Sequence, residues 1–292
     1  MSLLAWLGAV EVGLLYALVA LGVYLSFRVL RFPDLTVDGS FPLGAAVAAA
    51  LIVGGVPPWP ATLAALAAGA GAGLTTAWLN LRLGILQLLA SILTMIALYS
   101  VNLRIMGRPN VALLGEATVF SPLEALPAPL YALVPAALLA AVAIIVLLLA
   151  RFLTSETGLA MRASGENPRM ARAYGVVTAA SVYIGLALSN ALVALAGALF
   201  AQSQGSADVT LGVGTIVVGL AAVIGGEALF ATRTVLQAAV ACVLGSVVYR
   251  LLVALALNVD FLGLQAQDLN LITAVLVAAA LVLPRLRRRP AR

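Results

Sequence analysis

Runs of about twenty apolar residues follow one another along almost the whole chain, and that pattern admits few folds. A run of that length, rising about 1.5 Å per residue, crosses the ~30 Å hydrocarbon core of a bilayer as a helix. Of the 292 residues, 64% are hydrophobic and 9% charged, whereas charge approaches a quarter in soluble domains. In lipid every backbone N–H and C=O must find a partner within the protein, which leaves helices or a closed barrel. No strand-like alternation persists, so the expected class is an all-α polytopic membrane protein. About nine spans are predicted, within a range of eight to ten: 5–27, 36–54, 58–80, 85–104, 131–152, 179–203, 209–230, 233–257 and 268–284. The first lacks the basic start and small-residue cleavage site of a signal peptide and is kept as a span.

Three compositional gaps exclude function classes. The chain has no His, no Lys and a single cysteine, Cys242, in an apolar run. Without Lys it cannot be a conventional P-loop ATPase. His relays, Cys-rich metal sites and intrachain disulfides are excluded, so no metal site is expected, and Cys242 reads as a packing residue. With no convergent acid–base pair either, an enzyme is not expected. The net charge of +5 comes wholly from arginines near span ends, which points to membrane topology rather than to nucleic acid.

The most charged interior stretch is Gly158–Gly175, GLAMRASGENPRMARAYG. Asn167 suits a helix N-cap, Pro168 the first helical position and Gly175 the exit, so a short helix Pro168–Tyr174 is predicted outside the bilayer. It has the character of a docking element for a cytosolic partner; the plainer reading has its arginines resting on headgroups. Placing this loop in the cytoplasm puts Arg28, Arg31, Arg82, Arg151, Arg162, Arg169, Arg172, Arg233, Arg285, Arg287, Arg288, Arg289 and Arg292 inside, against Arg104 and Arg108 outside. Arg250 falls within a span. The N-terminus is then external and the C-terminus cytoplasmic. The outer loop 105–130 is a connector or a landing surface for something extracytoplasmic.

Residues 34–55, DLTVDGSFPLGAAVAAALIVGG, and 206–226, SADVTLGVGTIVVGLAAVIGG, share their opening residue types and a closing Gly-Gly. The flanking spans correspond at an offset of about 174 residues. One span lies between the sets, so the second four-helix unit is inverted relative to the first, a recurring plan of transporters. Unit one covers about 5–104, a linking span 131–152, a cytoplasmic loop 153–178, unit two about 179–284 and a basic tail 285–292. Polar residues at the unit starts are pathway candidates: Asp34, Asp38 and Ser40 in the first, Gln202, Gln204, Asp208 and Thr210 in the second. Ser91 and Thr94 add a further candidate lining. The alternative for Asp34 and Asp38 is capping of span two at the inner surface. Asn190 reads as an interhelical hydrogen bond or a cap near a span end, and Ala67–Gly73 as a close-packing stripe. Trp6, Trp59, Tyr16, Tyr24, Tyr99 and Tyr131 fit interfacial belts.

The text Arg162-Ala-x-Gly165-x-Asn167-Pro168-x-x-Ala171-x-x-x-Gly175 resembles the ATPase-docking loop of ABC importer permeases of the branched-chain amino-acid and ribose permease superfamily. Arg31–Gly44, RFPDLTVDGSFPLG, resembles the corresponding segment, closest to the subgroup for tryptophan/tyrosine-type or uncharacterised substrates. The Asn-x-x-His-Gly-type text of branched-chain permeases is absent, which argues against a branched-chain solute. The resemblance implies a type II importer-like fold and a permease subunit that moves a small, amino-acid-like solute, with aromatic amino acids as the class the subgroup suggests. Its implied partners are a cytosolic ATPase that binds ATP and Mg, an extracytoplasmic solute-binding protein and a second permease subunit, as a homodimer in a bacterial inner membrane. The coupling residues would be Arg162, Gly165, Glu166, Asn167, Pro168, Arg169, Ala171, Arg172 and Gly175, and Gly165→Leu or Ala171→Trp is expected to abolish transport without loss of expression. A stand-alone secondary transporter or channel would suit an inverted repeat equally well, but would need carboxylates in mid-span. Most here lie near span ends, Glu11 being the main exception.

Overall fold

The computed structural model describes residues 3–125, 127, 129–230 and 232–257. The predicted span 268–284 and the basic tail lie outside these residues. A helix stands at each of the other eight predicted spans. Helix α1, Leu3–Val23, continues through a π-helical turn, Tyr24–Val29; α2 is Val37–Val53, α3 Pro58–Leu83 and α4 Gln87–Met106. After a connector holding a short strand, β1 (Asn110–Ala112), and a 3₁₀ turn (Ser121–Ala125), α5 runs Leu130–Thr154. Two short helices follow, α6 (Glu156–Glu166) and α7 (Pro168–Ala173), then α8, Thr178–Gln204. Strand β2 (Ser206–Asp208), α9 (Thr215–Leu229) and α10 (Val235–Leu257) complete the described chain.

Among the described residues, six helices are long and apolar enough to cross a membrane: Leu4–Val29, Pro58–Leu83, Gln87–Met106, Leu130–Thr154, Thr178–Gln204 and Val235–Ala256. Helices α2 and α9 have 17 and 15 residues, about 25 and 22 Å at the α-helical rise. Each falls short of the ~30 Å core; the predicted segment 36–54 matches α2 to within one residue at each end, whereas 209–230 begins six residues before α9. Irregular backbone precedes both: before α2 it is enclosed, with Phe32, Asp34 and Thr36 buried, as membrane depth requires, whereas before α9 Thr210 and Val213 are exposed. The chain is also not purely helical. Strands β1 and β2 pair antiparallel, Asn110 opposite Asp208 and Ala112 opposite Ser206, and so tie the α4–α5 connector to the end of α8.

Helices α1 and α8 form the centre. Helices α2 and α3 pack on α8, α9 and α10 pack on α1, and α5 leans on α1. Glycines set the closeness of these crossings. A Cβ at Gly69 would strike the Asn190 carbonyl and Ala194, one at Gly73 the Leu186 carbonyl, and one at Gly44 the Ala194 backbone. The stripe read from Ala67–Gly73 is therefore a helix–helix contact, although Gly71 faces open space. Tyr16 and Tyr24 are buried rather than interfacial, whereas Trp59, Tyr99 and Tyr131 are exposed. Tyr16 stacks on Phe41 at 5.5 Å between ring centres, with Phe200 edge-on at 6.1 Å and the Arg250 guanidinium 4.2 Å over the Tyr16 ring. Cys242 is buried between helices, a packing residue as expected.

Candidate functional site: a buried polar junction and an exposed capped helix

The chain leaves α1 at the π turn, passes Arg31 with a left-handed φ of +54°, and re-enters the protein as Phe32–Thr36. Asp34 is fully buried. One carboxylate oxygen accepts the Thr36 N–H at 3.0 Å and the other accepts Asn190 Nδ2 at 2.7 Å. Asn190 Oδ1 in turn accepts the Ser40 hydroxyl at 2.7 Å. Asp34 is therefore not a surface cap of α2, and Asn190 is not near a span end but midway along α8. A second chain of hydroxyls starts at Thr36, which meets Thr76 at 2.7 Å; Thr76 donates to Thr94 at 2.9 Å, and Thr94 donates to the Ala90 carbonyl. Ser91 donates to the Leu88 carbonyl and, at 3.4 Å, to the carbonyl of Pro33. Burying these groups is tolerable because each is partnered.

Asp38 does not cap its own helix either. Its carboxylate accepts the Ile216 N–H at 2.7 Å, in the first turn of α9, where free N–H groups and the helix dipole favour an anion. Next to it, a Cβ on Gly212 would collide with the Asp38 carbonyl. The irregular segments before α2 and α9 thus meet at Asp38 and Gly212.

The second-unit residues lie apart from this junction. Asp208 Oδ1 accepts both the N–H of Thr210, at 2.7 Å, and its hydroxyl, at 2.6 Å, and Asp208 also receives Asn110. Those bonds hold the Asp208 carboxyl below its ordinary range. Asp-Leu-Thr at 34–36 and Asp-Val-Thr at 208–210 thus make the same side-chain turn, one buried and one largely open. Gln202 is buried, accepting the Val119 N–H and donating to Thr62, while Gln204 is exposed. Glu11 accepts the hydroxyl of Ser203. Asn190, Thr36 and Thr76 belong to the junction but stood outside the pathway candidates. The depth of Asn190 within its apolar run was the available signal.

In the loop after α5, the predicted helix Pro168–Tyr174 is found as α7, Pro168–Ala173, and a second, unpredicted helix, α6, precedes it. Ser155 caps α6. Asn167 Oδ1 accepts the N–H groups of Arg169 and Met170, both at 3.1 Å, and caps α7, whose first residue is Pro168. Gly175 follows with φ +83°, the left-handed exit. Arg162, Glu166, Asn167, Pro168, Arg169, Arg172 and Gly175 are exposed; Ala171 is buried and Gly165 half-buried. Gly165 abuts the Val29 carbonyl. Gly165→Leu and Ala171→Trp therefore disturb packing within the loop and cannot report on docking alone. Met170 and Tyr174 are exposed beside a cavity of about 370 Å³ lined by Ala163, Glu166, Asn167 and Val176. The loop offers a partner a mainly apolar notch, with Glu166 and Asn167 in its lining and the exposed Arg162, Arg169 and Arg172 on the same two helices.

Residues 6–283 match the family described as branched-chain amino acid transport system, permease component. The chain is 38% identical to the tyrosine transport system permease protein of Clostridioides difficile (strain R20291), over 92% of this chain and 87% of that one. It is 35% identical to an uncharacterized protein of Rickettsia prowazekii (strain Madrid E), over 94% of this chain and 95% of that one. No solved structure matches. A helical membrane chain with a buried polar junction and a basic, capped loop, matched over nearly its full length, is a transmembrane member of the family of permease components of branched-chain amino acid transport systems.

Proposed function

We propose that this chain is the membrane subunit of an ATP-driven importer for a small amino-acid-like solute, with an aromatic amino acid as the first solute to test. A cytosolic ATPase supplies hydrolysis with its own ATP and Mg, an extracytoplasmic binding protein delivers the solute, and two copies of this chain form the pathway in a bacterial inner membrane. The observation that carries the reading is the loop after α5: a capped six-residue helix, exposed Met170 and Tyr174 beside a notch, and exposed Arg169 and Arg172 on the same helix. The tyrosine named for the Clostridioides relative supports the solute class.

In this reading the loop and Arg28, Arg82 and Arg151 face the cytoplasm and the N-terminus is external, in keeping with the arginine distribution. Units 5–104 and 179–284 form an inverted repeat. The matching Asp-x-Thr turns, the paired short helices α2 and α9 and the meeting of Asp38 with Gly212 support it. Movement of α7 by the ATPase passes to α8, and the membrane halves rock between inward and outward access. Asp34, Asp38, Ser40, Ser91 and Thr94 then line or brace the inner pathway, and Gln202, Gln204, Asp208 and Thr210 the outer side.

The test is purification of the chain with its neighbouring gene products, followed by reconstitution. An ATPase should co-purify, and uptake should require ATP. Met170→Asp should weaken the association about tenfold or more, as expected for a charge placed in an apolar contact. Gradient-driven uptake by the chain alone would instead establish a stand-alone transporter.

A further inference from the structure

Arg31 stands where α1 ends and the segment toward Asp34 begins. Its φ of +54° is a conformation that L residues other than Asn and Asp seldom adopt. Immediately before it the helix is over-wide: the Leu30 N–H reaches the Leu25 carbonyl at 3.0 Å, and the Phe32 N–H reaches Ser26 at 2.8 Å. Such π turns sit inside helices at sites where register can shift.

Two contacts from α6 hold this place. Glu166 Oε2 and Arg31 Nη2 are 2.5 Å apart. One residue earlier, Gly165 lies against the Val29 carbonyl and Leu30 so closely that no Cβ would fit. On the same π turn, Arg28 pairs with Glu227 in the last turn of α9 at 2.9 Å. Three residues beyond Arg31 is Asp34, fixed by Asn190. The path from the exposed loop to the buried junction therefore runs through only the residues from Arg31 to Asp34, about 10 Å when extended.

Stability does not account for the pair. The Arg31 and Glu166 side chains are 53% and 74% exposed, so solvent screens them and the bond adds little. A strained arginine is a poor choice if only the turn mattered, since Asn or Gly adopts it more easily. What the arginine adds is a link to α6.

We propose that Arg31 is a positioning residue for transport: with Glu166, and with Gly165 seated on Val29, it carries movement of the α6–α7 loop to the Asp34 turn at the start of α2. The Arg28–Glu227 pair extends the same movement to α9. This rests on the loop being the ATPase-docking element.

The experiment uses the reconstituted permease–ATPase complex with Arg31→Asn, which keeps the left-handed turn, with Glu166→Gln, and with Arg31→Lys, which keeps the charge. Solute moved per ATP hydrolysed should fall about tenfold in R31N and E166Q, and stay within about threefold of the unmodified protein in R31K, a loss in the range of ordinary coupling energies. The ATPase should co-purify with R31N and R31K, since Arg31 does not line the notch. A Leu35→Cys reporter should change its thiol-labelling rate when ATP binds, and that change should vanish when R31N is added. Unaltered transport per ATP in both R31N and E166Q, or a reporter response that survives R31N, overturns the proposal and leaves ATPase docking standing. An unmodified chain that holds no ATPase removes both.

Discussion

Asn190 is the residue on which the buried junction turns, because it donates to Asp34 and accepts from Ser40 in one side chain. Asn190→Ala should destabilise the solubilised protein by about 2 kcal/mol or more, since it strands a buried carboxylate; a melting curve in detergent measures it. Asn190→Leu should be no milder, which separates lost bonding from lost volume. At the other Asp-x-Thr turn the sign of the pH effect differs from that of a buried acid. Asp208 is held below its ordinary value of 3.8 by Thr210. Its contribution to stability is therefore complete above that value and is lost as pH falls through the lower native one. Thr210→Val, which deletes the hydroxyl but not the N–H, should move the acid limb of a stability–pH curve upward, and an unchanged limb would show that the bond is not formed in solution. Neither role was legible from residue type. Asp34 and Asp208 sit in the same Asp-x-Thr text, and only the surroundings make one a buried anchor and the other a surface turn.

Among the elements, the long helices were legible within a few residues because lipid leaves a twenty-residue apolar run no other solution. Of the two short ones, α2 was legible to a residue and the start of α9 was not. Residues 209–214 are irregular, with Gly212 packed against Asp38 and Thr210 and Val213 exposed, and hydropathy does not distinguish helix from apolar non-helical backbone. The two-stranded ribbon escaped for a related reason: three-residue strands carry too little alternation to register. The glycine stripe of α3, in contrast, was readable as a contact, though not which of its glycines touch. Gly69→Val and Gly73→Val should each cost about 1–3 kcal/mol through overpacking against α8, and Gly71→Val almost nothing. Fluorescence-detected gel filtration of the three variants checks this, and equal behaviour would mean that the α3–α8 crossing is looser than described.

At the scale of the molecule, the loop bearing α7 and the α4–α5 connector lie at opposite ends of α5. That fixes a test of orientation. A cysteine at position 169, in place of Arg169, should react with an impermeant thiol reagent only from the cytoplasmic side. One in place of Leu114, which is 88% exposed, should react only from outside. Cys242 is buried and should remain silent. Reversed labelling would place the α7 loop away from any cytosolic ATPase and remove its proposed docking role. Arginine counting could propose this orientation because charges at span ends are few and one-sided. It could not reveal that Arg28 and Arg31 are tied to Glu227 and Glu166, since such pairings join residues far apart in sequence.

The close seating of Gly44, Gly69 and Gly73 against α8 has a consequence for how such a chain can change over generations. Where backbones touch, there is no room to trial a new side chain, so these positions are closed to drift. Freedom to vary belongs to outward faces, as on α4 and α5, where large apolar residues such as Ile96, Ile144 and Leu148 lie open. A saturation-mutagenesis map should therefore show a rigid spine wrapped in a permissive coat.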